Sequence, residues 1–281
     1  MNLDKYFEQQ RKKINRALEG YLPPRSERPL PDRQAGSSLH EAMRYAVLLG
    51  GKRVRPILAL AACEVVSGDQ KEVMPAACAI EFIHNYSLVH DDLPCMDDDD
   101  IRRGKPSCHK KFGEGAALLA GDALLTLAFQ ILSAEGSKKL KPRLEAIRLI
   151  SEAIGNRGMI GGQVVDIETK GKEIDLPTIE YINTHKSGAL IAVSLRVGAV
   201  LGGGNSGQVN SLFRYGKYAG LLFQIVDDIL DGEGYAKLIG ISQARKEAER
   251  LCGQAKEAIK GFGKKSQKLE QIADFILKRN R

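Results

Sequence analysis

The stretch VMPAACAIEFIHNYSLVHDDLPCMDDDDIRRGKP, from Val73 to Pro106, indicates both the fold class and the chemistry. Its first part is apolar on nearly every side of a helix, which predicts a helix buried over most of its surface. Its second part places six aspartates between Asp91 and Asp100, followed by two arginines. Like charges this dense repel one another and add no stability, so the pattern favours a multiply charged ligand. A solvated charged loop is the alternative for this cluster alone.

The segments on both sides of this stretch also have helical periodicity. Apolar residues recur at helical spacing and glycines follow the ends, whereas no convincing alternating strand occurs. We predict an all-α fold, a single domain over residues 1–281, with a Pro-rich surface connection from Leu22 to Gly36. The predicted helices lie within Leu39–Gly51, Val54–Gly68, Val73–Leu93, Gly115–Gly136, Leu176–Gly204 and Ser206–Gly232, with short helices between Ser242 and Lys278.

The composition is that of an ordinary globular protein. The chain of 281 residues is 43% hydrophobic and 27% charged, enough to bury a core. The net charge of +7 is spread along the chain, which favours anionic small substrates; we expect no nucleic acid as a partner. Five irregularly spaced cysteines predict free thiols in a reducing compartment. With a polar first segment and no apolar run of about 18 residues, we expect a cytoplasmic protein without a membrane span.

The first acidic cluster continues the helix that precedes it. Asp91 lies two helical turns after His84, and Ser87 shares that face. A proline shortly after Asp91 ends or bends the helix, so Asp97 has to fold back toward the helix end. We therefore expect Asp91, Asp92 and Asp97 around one point.

A second acidic cluster, FQIVDDILDG, interrupts another strongly apolar helix. Asp227 and Asp231 stand four residues apart and project from one helical face, with Asp228 beside them and Gln224 one turn earlier. Carboxylates on an otherwise buried helix need cations. Clusters of oxygen ligands suit Mg²⁺, which proteins hold by one or two carboxylates together with substrate phosphates. Two such clusters facing each other would clamp a magnesium–diphosphate group.

Basic residues follow the same logic. In GGKRVRP, Lys52 and Arg55 come directly after a glycine pair at a predicted helix start. Free backbone N–H groups, the helix dipole and these cations together suit a diphosphate. Arg102 and Arg103 directly follow the first acidic cluster, and a surface charge is the alternative for each of these cations.

Some polar residues have a structural interpretation instead. We interpret Arg53 as a surface charge, His90 as a packing residue and Asp122 as a buried, hydrogen-bonded residue of an apolar helix. Gln163 and Asp166 either face the metals or serve packing, and the sequence leaves both alternatives open.

The motifs together resemble those of a known enzyme family. GGKRVRP, IHNYSLVHDDLPCMDDDDIRRGKPSCH, GDALLT, GGQVVDIE, THKSGALI and FQIVDDILD follow one another in the family's order over nearly the whole chain. The chain resembles a bacterial short-chain trans-prenyltransferase of the polyprenyl synthetase family, most like farnesyl diphosphate synthase. The resemblance implies the isoprenoid synthase fold, a single large helical bundle around a central cavity, and a homodimer.

The resemblance also implies the roles of the site residues. Two to three Mg²⁺ ions would hold the allylic diphosphate, Arg102 would contact it, and Lys186, Ser187 and Gln224 would line the reacting centre. Ser187 stands where the family usually has threonine, which keeps a hydroxyl. The implied metal ligands are Asp91, Asp92, Asp97, Asp227, Asp228 and Asp231. The implied isopentenyl diphosphate site consists of Gly51, Lys52, Arg55, His84 and Arg103.

The implied activity is a Mg²⁺-dependent head-to-tail condensation. Isopentenyl diphosphate would add to dimethylallyl and geranyl diphosphates, giving farnesyl diphosphate and free diphosphate. Tyr86 lies five residues before Asp91, about 7.5 Å along the helix, where a bulky ring would stop chain growth at C15. Ser87 beside it is too small to add a barrier. A C20 geranylgeranyl diphosphate synthase is the alternative, and a floor formed elsewhere would leave Tyr86 a packing residue.

Three further functions compete with this one. A terpene cyclase would need no second diphosphate site, and Lys52, Arg55, His84 and Arg103 argue against it. A non-catalytic subunit of a heteromeric prenyl synthase would be expected to lose aspartates, and both motifs are complete. A metal-storage bundle would not need the arginines.

One departure from the family follows the second acidic motif. The family usually carries a mobile, Gly- and Lys-rich loop there, whereas DDILDG here runs directly into EGYAKLIGISQAR. Either the loop is deleted or it is omitted from the sequence. We favour omission of a mobile loop near residues 232–233, so Gly232–Glu233 is not expected to form a true turn.

Overall fold

The structure is a computed structural model that describes residues 2–24, 35–134 and 140–279. Its architecture is all-α, as predicted. Most of the Pro-rich connection from Leu22 to Gly36 lies outside the described residues. The first helices are α1 (Leu3–Tyr21), α2 (Ala35–Leu48), α3 (Val54–Val65), α4 (Gln70–Asp91), α5 (Cys108–Phe112), α6 (Glu114–Ser133) and α7 (Leu140–Ile154). They are followed by α8 (Met159–Thr169), α9 (Leu176–Ile182), α10 (Ala189–Leu201), α11 (Ser206–Asp231), α12 (Gly234–Ile239), α13 (Ile241–Ile259) and α14 (Gln267–Lys278).

The chain divides into two compact units. The N-terminal unit comprises Asp4–Ile57 and Met74–Gly136. The C-terminal unit comprises Met1–Leu3, Leu58–Val73 and Ser137–Arg281. That the whole chain is one domain stays a prediction.

The N-terminal unit buries one face of each of its helices. In α1 the buried residues Tyr6, Ile14 and Leu18 lie on one helical stripe, a pattern that the sequence already carried. α2 packs against α5 and α6, and α6 buries Ala117, Ala120 and Leu124. The small residues Ala117 and Ala120 allow close helix packing on this face of α6.

A two-stranded hairpin interrupts the helices, where the sequence predicted no strand. β1 (Ile101–Arg102) and β2 (Lys105–Pro106) pair antiparallel, with Arg102 opposite Lys105. The turn residues Arg103 (φ 53°) and Gly104 (φ 74°) both have positive φ angles, as tight hairpin turns require. Strands of two residues are too short to leave an alternating pattern in the sequence.

The core of the C-terminal unit is α10, which is buried along nearly its whole length. α7 and α11 pack against it, and α11 also packs against α13. Gly198 of α10 lies so close to α3 that a Cβ atom there would come 2.0 Å from the Ala59 carbonyl oxygen. Only glycine fits this approach of two backbones.

A π-helical turn lies where the sequence predicted one regular helix from Leu176 to Gly204. The turn, Asn183–Gly188, separates α9 from α10 and carries Lys186 and Ser187. α8 packs directly on this π-helical turn. The two backbones are so close that a Cβ atom at Gly162 would lie 2.3 Å from the Lys186 backbone nitrogen. Single π-helical turns are frequent at functional sites.

α6 differs from the prediction in its exposure. It is the one helix among the described residues that is long and apolar enough to span a membrane, with only 39% of the 18-residue window buried. One such helix is weak evidence for a span, since core helices of soluble proteins share these properties. The interpretation of Asp122 as buried is wrong, because its side chain is 59% exposed. The apolar residues next to Asp122 in the sequence therefore do not shield its side chain from solvent.

Candidate active site

The chain folds back at the end of α4, as the first acidic motif predicted. α4 ends at Asp91, and the Asp97 N–H donates a 2.9 Å hydrogen bond to the Asp91 carbonyl oxygen. The Asp98 N–H reaches the Leu93 carbonyl oxygen at 3.1 Å. This turn places Asp97 beside Asp91, with both residues partly exposed.

Asp92 of the same motif is buried and binds an arginine. Its carboxylate accepts hydrogen bonds from the Arg102 guanidinium, one of them from Nε at 2.8 Å. Arg102 also donates to Asp99 at 2.8 Å. Burial raises the pKa of Asp92, and the bond from Arg102 opposes that rise. Arg102, predicted to contact the allylic diphosphate, is thus held at the acidic motif itself.

The predicted isopentenyl diphosphate residues converge within the N-terminal unit. The Arg103 guanidinium donates to the Gly50 carbonyl oxygen and lies 3.4 Å from Asn85 Oδ1. A Cβ atom at Gly51 would come 3.0 Å from that guanidinium, and Gly51 has a φ of 127°, so glycine is required there. Lys52 next to it is exposed.

His84 completes this basic cluster as a neutral side chain. Its Nε2 lies 3.3 Å from Arg55 Nη1 and accepts a hydrogen bond from it. Burial, followed by the charges of Arg55 and Arg103, holds the pKa of His84 well below its usual value of 6.5. A neutral His84 orients Arg55 and leaves the positive charge of the cluster on the arginines.

The interpretation of Arg53 as a surface charge is wrong. Arg53 is 3% exposed and forms a salt bridge of 2.7 Å with the buried Glu81 of α4. It also donates to Asn15 Oδ1 at 2.9 Å and to the Val47 carbonyl oxygen at 2.6 Å. Every part of its guanidinium is used, so Arg53 fixes the loop that carries Lys52.

The two predicted chain-length residues lie on α4 one turn before the acidic motif. Tyr86 is buried and meets His90 edge to face, with ring centroids 5.7 Å apart. His90 is the packing residue we predicted: its Nε2 lies 3.0 Å from the Leu118 carbonyl oxygen of α6. Ser87 donates to the His84 carbonyl oxygen at 3.0 Å.

The second acidic motif lies on α11 in the C-terminal unit. Asp227 is about one-third exposed and forms a 2.5 Å salt bridge with Arg279. Arg279 also donates to the Phe223 carbonyl oxygen at 2.8 Å and stacks on the Phe223 ring at 3.9 Å. Asp231 is exposed one turn further on. The sequence analysis did not identify Arg279 as a site residue, because its polar neighbours in the sequence do not distinguish it from a surface charge.

Asp228 is held both by the π-helical turn and by the chain that follows the motif. Its Oδ2 accepts hydrogen bonds from Asn183 Nδ2 at 3.2 Å and from the Tyr235 N–H at 2.9 Å. Gly232 ends α11 in the left-handed conformation with a φ of 71°, and α12 starts two residues later. The connection at Gly232–Glu233, which we did not expect to be a true turn, is thus a capped turn in this structure.

Lys186 on the π-helical turn contacts α8. Its Nζ lies 2.5 Å from Asp166 Oδ2, so the GGQVVDIE motif does supply a partner to a predicted catalytic residue. The side-chain amide of Gln163, one turn earlier, is buried and has no hydrogen-bond partner in the part of the chain that the structure describes. Ser187 and Gln224 are both partly exposed.

The chemistry of these donors fits Mg²⁺. Each predicted ligand is a carboxylate, and all of them except the buried Asp92 keep some exposure. Asp92 and Asp227 bind arginines, which a metal ion would replace as the source of positive charge. The tightest group of possible ligands among the described residues is a different one: Asp98, Asp100 and His109 lie within 4.8 Å of one another.

A comparison with protein-family models decides the family. Residues 37–252 match the model of the polyprenyl synthetases. The chain belongs to the polyprenyl synthetase family. The predicted family is therefore confirmed, and with it the membership in a group of prenyl-transferring enzymes.

Plant proteins are among the curated relatives of this polyprenyl synthetase family member. A heterodimeric geranylgeranyl pyrophosphate synthase large subunit 1, chloroplastic, of Arabidopsis thaliana is 43% identical over 94% of this chain and 76% of its own length. A chloroplastic geranylgeranyl pyrophosphate synthase of Capsicum annuum is 45% identical over 86% of this chain and 72% of its own length.

A solved structure confirms the predicted isoprenoid synthase fold. An FPP/GFPP synthase from Zymomonas mobilis superposes with a TM-score of 0.90 at 41% identity, covering 98% of this chain and 99% of the other. The products in these names differ, so the comparisons give the family and leave the chain length of the product open.

The alignment lengths bear on the shortened connection after α11. The alignment to the Arabidopsis large subunit runs over 289 positions, more than the 281 residues of this chain. That relative therefore has residues that this polyprenyl synthetase lacks. The length difference agrees with a missing segment, whose place near residues 232–233 stays a prediction.

The basic cluster gives a test that separates the two substrates. We expect Lys52→Ala and Arg55→Ala to raise KM for isopentenyl diphosphate about tenfold, the scale of one charge-assisted hydrogen bond. KM for the allylic substrate should change little, because Arg102 and the aspartates are the residues predicted to bind it. Steady-state kinetics with each substrate varied in turn measures the split.

A matched control for these variants is Arg16→Ala, which removes an exposed cation from α1 in the same unit. It should leave both constants unchanged. An equal rise of both KM values in the Lys52 and Arg55 variants would show that the two diphosphate sites are assigned wrongly.

Proposed function

We propose that this protein condenses isopentenyl diphosphate with dimethylallyl and geranyl diphosphates, releasing diphosphate and giving farnesyl diphosphate as its main product. The observation that carries the proposal is the arrangement around the end of α4. An acidic turn at Asp91 and Asp97 and a basic cluster of Arg55, His84 and Arg103 both belong to the N-terminal unit. A terpene cyclase would have no use for that second, basic cluster.

The reaction needs the allylic diphosphate to leave as an anion. Two to three Mg²⁺ ions, held by carboxylates of the acidic motifs, would neutralise the leaving charge. Arg102 adds fixed positive charge beside the first motif, which stabilises the transition state. Holding isopentenyl diphosphate on Gly51, Lys52, Arg55 and Arg103 then places its double bond for attack.

Neutral dipoles suit the carbocation that forms. Gln224 and Ser187 offer a carbonyl and a hydroxyl oxygen, which stabilise positive charge without trapping it as a carboxylate would. Lys186 is held by Asp166, which fixes its ammonium for contact with a diphosphate oxygen. The proton lost at the end would go to the released diphosphate.

Two products remain to be distinguished by experiment. Tyr86 supports C15, because it is a buried aromatic ring one turn before the acidic motif and packs against His90 on the α6 side. A C20 product is the second candidate, and it is supported by the geranylgeranyl pyrophosphate synthases among the relatives.

Replacing Tyr86 tests the chain-length assignment. Wild-type protein incubated with labelled isopentenyl diphosphate, dimethylallyl diphosphate and Mg²⁺ should give mainly C15 alcohols after dephosphorylation and chromatography. Tyr86→Ala should shift the main product to C20 or longer, because it removes the ring that would stop the tail.

Tyr86→Phe is the matched control, since it keeps the ring and removes a hydroxyl that has no hydrogen-bond partner among the described residues. Its products should equal those of the wild type. An unchanged product distribution in Tyr86→Ala would exclude Tyr86 as the floor, and no prenyl product from the wild type would overturn the proposed function itself.

The assembly we propose is a homodimer. On α6, Leu118 is 46% exposed and Leu119 is 58% exposed, so this helix offers an apolar surface for a second copy. Light scattering of the purified protein should give twice the chain mass of 30.7 kDa. A mass of one chain at micromolar concentration would contradict the homodimer.

The location we propose is the cytoplasm. All five cysteines are free thiols, and four of them are buried, as expected in a reducing compartment. Cell fractionation with an antibody against the protein tests this, and its recovery from an oxidising compartment would contradict it.

A further inference from the structure

A positively charged cleft lies in the C-terminal unit, lined by α7, α10, α11 and the π-helical turn. Its volume is about 270 Å³, just below the usual size of drug-binding pockets and suited to a small ligand. Its walls are partly apolar, with Leu149, Ala192 and Val193 among the lining residues. None of the residues assigned above to the aspartate motifs or the basic cluster lines it.

Arg196 is the central cation of this cleft. It stands in α10, whose other residues are almost all buried and apolar. Its guanidinium lies 4.8 Å from the centre of the Phe213 ring. Its Nε is buried without a hydrogen-bond partner, and no described residue forms a salt bridge with it. A charge in such a place is costly unless something pairs with it.

The other charges of the cleft leave it strongly positive. Lys217 lies 5.8 Å from the same Phe213 ring, and Arg157 stands exposed at the cleft. The carboxylate that lines the cleft belongs to Glu152, and Arg148 already binds it. None of these three cations forms a salt bridge with a described residue, and Glu145, which interacts with Arg196 through its charge, is already bound by Arg148. The excess positive charge raises the local concentration of anions.

The cleft also touches the π-helical turn. Thr184, His185 and Gly188 line it, and the same turn carries Lys186 and Ser187, the residues proposed for the reacting centre. His185 is held on the turn by a 2.8 Å hydrogen bond from its Nδ1 to the Tyr181 carbonyl oxygen. A ligand in the cleft would therefore contact the same turn that carries Lys186 and Ser187.

We infer that this cleft is a second ligand site, which binds a phosphate or diphosphate ester with a short apolar tail. The head would pair with Arg196 and Lys217, and the tail would lie against Phe213 and the apolar wall. Occupation of the cleft would order the π-helical turn. The inference concerns binding without turnover, so it does not depend on the proposed condensation.

The chain contains no tryptophan, so a Phe213→Trp variant carries a single fluorescent reporter inside the cleft. We titrate it with inorganic diphosphate and, separately, with dimethylallyl diphosphate, in buffer with EDTA to keep Mg²⁺ from the aspartate motifs. Both should give a saturable change, with the ester binding at least threefold tighter. Equal affinities would overturn the role of the apolar tail, and no saturable change would overturn the site.

Arg196→Met in the Phe213→Trp background should weaken dimethylallyl diphosphate at least tenfold, since methionine keeps the packing and removes the charge. Arg245→Met is the matched control, because it removes an exposed cation from α13 in the same unit. It should bind as the parent does. Unchanged binding in Arg196→Met would overturn the inference.

Two measurements guard against effects of the reporter itself. Isothermal titration calorimetry with dimethylallyl diphosphate uses protein in which Phe213 is intact. The Arg196→Met variant should show one binding event fewer than the wild type. Hydrogen exchange in Asn183–Gly188 should slow when dimethylallyl diphosphate is added, and this slowing should vanish in Arg196→Met. Exchange that does not respond to the ligand would overturn the ordering of the turn.

Discussion

Asp91→Asn and Asp227→Asn should each lower kcat by about 100-fold or more, the scale on which losing one electrostatic stabiliser acts. Each change removes one negative charge from a predicted metal site, which leaves the departing diphosphate poorly neutralised. Asparagine keeps the shape of aspartate, and both residues are partly exposed at helix ends. The fold should therefore persist, with an unchanged helical circular dichroism spectrum.

The structure offers a close control for the Asp227 variant. Asp274 of α14 is 41% exposed and pairs with Lys256, much as Asp227 is 37% exposed and pairs with Arg279. Asp274→Asn should leave kcat within about twofold of the wild type, because no substrate role is assigned to it. Near-normal turnover in both Asp91→Asn and Asp227→Asn would contradict the model of two metal-binding clusters.

Glu81→Leu should lower the free energy of unfolding by about 3–5 kcal/mol, because it leaves Arg53 charged and buried without a carboxylate. The Arg53–Glu81 salt bridge is almost completely shut off from solvent, at 1% and 2% exposure. Arg53→Met should cost a similar amount, since Glu81 then becomes the unpaired charge. Denaturant unfolding followed by circular dichroism measures both.

A double variant shows whether the pair or the single charge matters. Arg53→Met with Glu81→Leu should recover most of the lost stability, since an apolar pair can replace a buried ion pair. Arg148→Met, which breaks two exposed pairs on α7, with Glu145 and with Glu152, should cost less than about 1 kcal/mol. Additive losses in the double variant would mean that each side chain acts through separate contacts.

The helices were predictable because their apolar residues repeat at the helical period. The fold-back of Asp97 was predictable as well, since Pro94 cannot continue α4. The burial of Arg53 was not, because its partner Glu81 stands 28 residues away and becomes a neighbour only after folding. Arg279 escaped for the same reason: nothing in the sequence near it points to Asp227.

Local backbone conformation was the other feature that the sequence pattern did not predict. The segment from Leu176 to Gly204 keeps its apolar repeat through the π-helical turn, so the pattern predicted one regular helix. The hairpin at Ile101–Pro106 is set by two residues with positive φ angles, of which only Gly104 has a sequence signal. Arg103 takes the same conformation, and its guanidinium is anchored at Gly50.

The π-helical turn at Asn183–Gly188 makes this part of the chain sensitive to its residue count. A π turn accommodates one residue more than an α turn, so a single deletion here could be absorbed as ordinary α-helix. Each residue turns an α-helix by about 100°, so the loss would rotate α9 relative to α10. Lys186 would then leave Asp166, although every motif of the sequence stayed intact. In this segment the geometry of the site depends on the spacing of residues as much as on their identity.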